Sequence, residues 1–506
     1  MFDRSSIYDG EYPVCLEDFC FLPKQISMTG FYREFFAFLE DENNASLLDT
    51  LGITPQNVTL DSFSHRYERH RMTKSGEPDW MEAIPRNIRV YIRQKFFEDT
   101  VSPFKIIGDL PYAKMNYQIR EGGLTSILYD IFSMHRLFRV KQLGFLQFPL
   151  AFVTGTGGSI SPMAFPHSRG VHQLDVTAIM LGIIRNNPWL KEHASILEAA
   201  ACSHDGKTPA GGDTTKFVDP AGFDEELNFS SFFKKTGWSE VRKRFDISEK
   251  LLDETVNGKG LFGSLLDVAD KAAYLSRDVW HFVSTPKSLD EFRSGDRELL
   301  EQARTIIKED PYFCSIWESL WVRDNDMFFS DAEKLFRFMK MRVILFTELY
   351  KKNEARLMES VMAKKLIKML CTSGKATHAE LLVWDDETLE EKIREEFKIP
   401  LSLLFFKRST LMRFDTELAR KQFAAGIRSS DLMPIIDDSA SGHIKSGIHT
   451  FKVWKDDKPQ IFAKAYKDAA REISKIGQCK ETYPLYLVHR EDLEIPKGIW
   501  RKVKQQ

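Results

Sequence analysis

Cysteine is scarce in this chain of 506 residues, and the six present, at 15, 20, 202, 314, 371 and 479, never fall in CxxC spacing. That excludes a zinc ribbon and a disulfide framework and fits a reducing compartment. Charge of one sign is also lacking. Lys and Arg together number 71 against 73 for Asp and Glu, so no global field indicates nucleic acid or an anionic membrane as a partner. Long apolar runs are missing as well: the most apolar stretch, 144–153, is well short of the roughly 20 residues that cross a bilayer. The first residues lack the basic-then-apolar pattern of a signal peptide, so the expectation is a soluble, cytoplasmic protein with no membrane partner. A phosphate-cradling loop is absent too. Thr154-Gly-Thr-Gly-Gly158 lacks the Gly-Lys-Ser/Thr ending and opens no helix, and reads as a turn.

What is present is helix. With 43% hydrophobic residues the chain can bury a large core. Apolar residues recur at helical spacing over 127–144, 172–186, 193–203, 223–235, 261–282, 297–308, 330–352 and 354–371. Aromatic stripes at 31–39 and 80–92 suggest core helices in the N-terminal region. Asp386 or Thr388 is placed to cap a further helix. Toward the end, 447–454 and 483–489 read as strands around a helix near 460–475. The expected fold is mainly α, divided into a helical N-terminal region (1–118), a multi-helix core (119–350) and a C-terminal region (351–506), helical and then mixed α/β.

The chemistry gathers around His204-Asp205, at the end of the apolar helical stretch beginning at Ile196. His172 opens an earlier helical pattern, and Asp270 lies inside a later one. Imidazole and carboxylate without thiolate suit a divalent Mn, Fe, Mg or Zn ion better than a structural zinc. The same residues would also serve a capped helix end and hydrogen-bonded core histidines. Asp270, Tyr274 and Asp278 share one helical face, with Asp267 a turn earlier and Lys271 adjacent. A charged surface helix has the same pattern.

The ordered set His172, His204-Asp205, Asp270 resembles the ligand signature of the HD phosphohydrolase superfamily. Asp270-Lys-Ala-Ala-Tyr274-Leu-Ser-Arg-Asp278 narrows the likeness to the deoxynucleoside triphosphate triphosphohydrolases, the SAM-and-HD-domain enzymes and their bacterial dGTPase relatives. Arg136-Leu-Phe-Arg-Val-Lys-Gln-Leu-Gly144 and Arg169-Gly-Val-His172-Gln-Leu-Asp-Val176 are similar to that family's R-L-x-x-x-K-Q-L-G and R-x-x-H-S-L-x-V stretches. The likeness covers roughly 125–430. It implies an HD-domain core, a metal held by His172, His204, Asp205 and Asp270, triphosphate held by Arg169 and Lys271, the sugar against Tyr274, and the 3′-hydroxyl at Gln142 and Asp278. It also implies a nucleotide substrate, an activating nucleotide and homo-oligomers. The basic stretch 336–342 would hold activator phosphates, though a solvated helix edge is the plainer reading. The chain departs from the family after Asp205, where Gly-Lys-Thr-Pro-Ala-Gly-Gly-Asp213 has no histidine to protonate the leaving oxygen. Beside Asp205, the candidates left are Lys207, Asp213, Asp224 and Glu225, and a carboxylate needs burial to serve as an acid at neutral pH. Two other functions fit the departure: an HD hydrolase for a cyclic nucleotide, nucleoside monophosphate or alarmone, and a nucleotide-sensing module without turnover.

Overall fold

Helix accounts for 64% of the described residues against 13% in strand, so the fold is mainly α with small sheets. The computed structural model describes residues 19–20, 45, 49, 104–120, 123–142, 168–223, 229, 238–284, 297–347, 354–398, 409–436, 446–477, 483–490 and 500–501. The aromatic stripes at 31–39 and 80–92 and the glycine turn at 154–158 lie outside these. The chain forms two compact units, 1–109 with 115–130, and 110–114 with 131–506.

The first unit holds strands β1 (Phe19–Cys20), most of β2 (Phe104–Leu110) and β3 (Met115–Arg120), in the order β1-β3-β2, and helix α1 (Leu124–Asp130). The helical expectation for 1–118 does not hold over 104–120. Met115, Tyr117 and Ile119 alternate with polar residues and are buried, which is the period of a strand.

The second unit begins with α2 (Phe132–His135) and one tight turn, Arg136–Arg139. Val140 is then extended, and Lys141 bridges antiparallel to Ser168. The helix expected over 127–144 is therefore broken. Arg136 is fully buried, and its guanidinium donates to the carbonyls of Thr208 at 2.6 Å and Trp384 at 3.2 Å, acceptors that a continuing helix would not offer. Next come α3 (Arg169–Asn186), α4 (Ala194–Ser203), α5 (Gly212–Lys216), α6 (Trp238–Arg244), α7 (Glu249–Val256), α8 (Gly260–Ser284) and α9 (Arg297–Glu309). Of the helix expected at 223–235, only Phe223, in a turn, and Phe229 are described. The hairpin β4 (Leu320–Arg323) and β5 (Asp326–Phe329) precedes α10 (Ala332–Leu345), α11 (Glu354–Thr372), α12 (His378–Leu381) and α13 (Asp386–Phe397). The cap of α13 is Asp385, whose Oδ1 accepts from Thr388 N at 2.8 Å, rather than Asp386 or Thr388.

The C-terminal part is mixed: β6 (Ser409–Phe414), α14 (Glu417–Gly426), β7 (Leu432–Ile436), β8 (Lys452–Lys455), β9 (Lys458–Ile461), α15 (Phe462–Ala465), α16 (Lys467–Gly477) and β10 (Tyr483–His489). β10 lies between β6 and β7, antiparallel to both, while β8 extends the β4–β5 hairpin by a parallel contact at Phe329 and Val453. The strand expected from 447 begins only at Lys452. Gly447 turns the chain at φ +91°, where a Cβ would lie 2.7 Å from the Phe451 ring.

Buried almost throughout its length, α3 packs against α4 and α8. One buried ion pair sets its register on α8: Arg277 Nε and Nη2 donate to Asp175 Oδ2 and Oδ1 at 2.7 and 2.9 Å, with Asp175 wholly enclosed. A planar fork on a carboxylate fixes angle as well as distance. Asp175→Ala should lower unfolding stability by about 3 kcal/mol in urea titration, because it strands a charge in the interior; a change under about 1 kcal/mol would show that the pair does not hold the helices together.

Candidate metal centre

Three helices deliver the ligand candidates. Ser168 caps α3 by accepting from Val171 N at 3.3 Å, which fixes where the first turn, and hence His172, begins. The same end of α3 is pressed on the Arg136–Arg139 turn: a Cβ on Gly170 would lie 2.8 Å from the Phe138 ring and 2.9 Å from its backbone nitrogen, so only glycine allows this approach. α4 ends at Ser203, and His204 and Asp205 follow in the turn that leaves it. Asp270 projects from the middle of α8.

These side chains converge. His172 Nε2 lies 2.9 Å from Asp270 Oδ1 and 3.8 Å from Asp205 Oδ2, and His204 Nε2 lies 3.8 Å from Asp205 Oδ2 and 3.7 Å from Asp270 Oδ1. His172, His204 and Asp205 form the group of potential metal ligands among the described residues, and Asp270 Oδ1 closes it from α8. The residues fit a divalent ion on two counts. His204 donates Nδ1–H to the Ala201 carbonyl at 2.9 Å, which turns Nε2 inward, and that buried nitrogen has no hydrogen-bond partner at ordinary distance. Two imidazole nitrogens and two carboxylate oxygens suit a hard or borderline cation, whose bonds of about 2.1 Å would place donors roughly 3–3.4 Å apart, between the 2.9 Å of His172–Asp270 and the 3.7–3.8 Å of the other pairs.

The electrostatics is that of a buried cluster of alternating sign. Burial pushes Asp205 up, but Arg169, then His204 and His172, outweigh it and hold its carboxyl down at about 2. Asp270 is likewise lifted by burial and held well below the usual carboxylate range by hydrogen bonding with the two histidines. Burial lowers His204, and the opposing pull of Asp205 and Asp270 raises it to about 9. Arg169, itself buried, spans the edge of the cluster, with Nη1 donating to Asp205 Oδ2 at 2.7 Å and Nη2 to Asp213 Oδ1 at 2.8 Å.

The other candidates lie around this group. Asp213 is half exposed, with Oδ1 committed to Arg169, and Lys207 is half-buried; Asp224 and Glu225 lie outside the described residues. Lys271 pairs with Asp267 and sits over the Phe451 ring at 5.5 Å, and burial lowers its pKa. Tyr274 accepts from Arg342 Nε at 2.7 Å and is pushed up to about 12, first by burial. Asp278 is fully enclosed, and Gln142 is buried with no hydrogen-bond partner for Oε1 among the described residues. Three contributors carried no sequence signal for their role: Arg136, Asp386 and the Asp175–Arg277 pair. Arg342 stood out only as part of a basic stretch.

No family model and no curated protein sequence matches the chain. Among solved structures, a hypothetical protein from Aquifex aeolicus superposes with a TM-score of 0.51 at 18% identity, over 77% of this chain and 96% of that one. A phosphohydrolase from Bacteroides thetaiotaomicron superposes with a TM-score of 0.46 at 16% identity, over 72% of this chain and 95% of that one. The first likeness shows a shared fold and says nothing of activity; the second is too distant to argue from. Among the described residues, no helix is long and apolar enough to cross a membrane.

A cation entering this cluster must displace the proton from His204. Below pH 9 the apparent affinity for Mn²⁺ in calorimetric titration should therefore fall by ~10-fold per pH unit and level off above it. His204→Ala combined with Asp205→Ala should abolish binding; retained stoichiometric Mn²⁺ in that variant would place the ion elsewhere.

Proposed function

We propose that the chain is a metal-dependent phosphohydrolase of the HD type that converts deoxynucleoside triphosphates to deoxynucleoside and inorganic triphosphate. The convergence of His172, His204, Asp205 and Asp270, with Arg169 at their edge, is the observation that carries the proposal. A divalent ion held by these four residues would lower the pKa of a water and offset negative charge on phosphoryl oxygens.

The chain's own groups divide the remaining work. Arg169 presents a fixed fork beside the ligands, suited to two phosphate oxygens. Lys271 adds a second cation on α8, one residue beyond Asp270. One turn further on, the Tyr274 ring forms a wall against which a 2′-hydroxyl would collide, its orientation held by Arg342. Asp278 and Gln142 offer a carboxylate and an amide for the 3′-hydroxyl. Among the described candidates, Lys207 would protonate the leaving oxygen; Asp213, half exposed and bonded to Arg169, lacks the burial that a carboxylate acid needs. Self-association and a nucleotide activator belong to the same reading.

One observation favours a second reading, a nucleotide-sensing module without turnover: the loop after His204-Asp205 contains no histidine between 206 and 213. Purified protein incubated with each dNTP and NTP and with Mn²⁺ or Mg²⁺, the products resolved by ion-pair chromatography, separates the two. Deoxynucleoside plus inorganic triphosphate is the expected result. Nucleoside monophosphate or an opened cyclic nucleotide would mean a different HD hydrolase, and unchanged but bound nucleotide would mean a sensor.

A further inference from the structure

Asp386 is 4% exposed and is not the cap of its helix, a role that Asp385 fills. Its two oxygens accept from backbone groups of two distant segments: Oδ2 from Lys141 N at 2.8 Å and Oδ1 from Gly211 N at 2.7 Å. Burial pushes its carboxyl up to about 6, and the Lys141 charge and the two backbone donors oppose that rise, so it can stay ionised as a buried anchor at neutral pH.

Both segments lead to Arg169. On one side, Lys141 bridges to Ser168, and Arg169 N donates to Val140 O at 2.7 Å. On the other, Gly211, at φ +80°, opens the turn that carries Asp213, and Asp213 accepts from the Arg169 guanidinium. The contacts close a ring: Asp386 to Lys141 to the Arg169 backbone, and Asp386 to Gly211 to Asp213 to the Arg169 side chain. The other end of the fork rests on Asp205. The loop is also fastened by Arg136, in the turn that precedes Lys141, on the Thr208 carbonyl, and by Ala210 N on the Leu381 carbonyl, but neither bond reaches Lys141 or Gly211 themselves.

We infer that Asp386 is a positioning residue for the phosphate-holding face of the site: by tying residue 141 to residue 211 it fixes backbone and fork of Arg169 in one orientation. The inference deepens the proposed function and rests on it for the ligand, an oligophosphate. It follows that Asp386 governs oligophosphate binding more than ion binding, because of the four ligand candidates Asp205 alone touches the ring, through Arg169, while His172, His204 and Asp270 lie outside it.

The full-length wild type and Asp386→Asn are titrated first with Mn²⁺, and then, loaded with Mn²⁺, with inorganic tripolyphosphate. Asparagine keeps the shape but turns an N–H₂ toward one of the two backbone donors. Tripolyphosphate affinity should fall by ~10-fold while Mn²⁺ affinity changes by less than about threefold. The double variant with Asp213→Asn should bind tripolyphosphate no more weakly than the weaker single variant, since both cut one ring. A folded Asp386→Asn with unaltered tripolyphosphate affinity, equal losses for both ligands, or fully additive single effects would overturn the inference and leave the proposed function standing. Wild-type protein that binds Mn²⁺ but no tripolyphosphate would overturn both. Should Asp386→Asn not fold, Gly211→Ala strains the same turn and takes its place in both titrations: selective loss of tripolyphosphate affinity supports the inference, and unaltered affinity or equal losses overturn it.

Discussion

Two carboxylates set against two imidazoles, Asp205 buried and Asp270 half-buried, are the constraint that this structure is arranged around. An isolated carboxylate in the interior would take up a proton, because desolvation penalises its charge. Asp205 and Asp270 stay ionised because compensating groups are close and oriented: the Arg169 guanidinium at 2.7 Å from one, the His172 ring hydrogen-bonded at 2.9 Å to the other. Each of these partners must itself be held. Arg169 needs Asp213 and the Val140 carbonyl, and His204 needs the Ala201 carbonyl to settle its tautomer. Each charge in the cluster thus leans on its neighbours, and three helices and a loop are fastened around it.

That fastening explains much of the local architecture. Asp175 lies one turn beyond His172 on α3, and Arg277 two turns beyond Asp270 on α8, so their bidentate pair fixes the separation of the two ligand-bearing helices from the far side. Gly170 lets the start of α3 approach Phe138 closely enough for Lys141 and Ser168 to pair. The loop 206–211 is drawn down by Arg136 and Asp386 onto a core formed with α11, α12 and α13. Its backbone carbonyls and amides thus serve to hold position.

The ligand candidates were legible because metal chemistry limits the residue types and the helical pattern limits where they stand; His204 and Asp205 are adjacent, and Asp270 sits on a long period-3.6 stretch. Helices 169–186, 260–284 and 297–309 followed from periodicity in the same way. What periodicity could not carry is a polar group that turns inward. Arg136 looks like the polar face of an amphipathic helix until its acceptors, 70 and more positions away, are known, and Asp386 looks like a cap. The stretch 336–342 shows both outcomes. Arg337 and Lys340 pair with Glu333 and Glu472 at the surface, as a solvated edge would, while Arg342 runs inward to Tyr274. Nothing in the local spacing separates the third residue from the other two.

The two cations assigned to phosphate are prepared differently. Arg169 lies between two carboxylates, one of them buried, and cannot swing away without leaving Asp205 uncompensated, a loss of several kcal/mol for a buried pair. Lys271 pairs with Asp267, whose carboxylate is half exposed, and such a pair is worth roughly 1 kcal/mol or less. Burial lowers the Lys271 pKa, so its ammonium is only partly compensated by Asp267. On the proposed reading, Arg169 is a preset fork and Lys271 a cation released as the anion arrives. Phe451, brought in beside β8, gives the lysine a ring face to rest on in the meantime and joins the C-terminal part of the chain to the wall of the site.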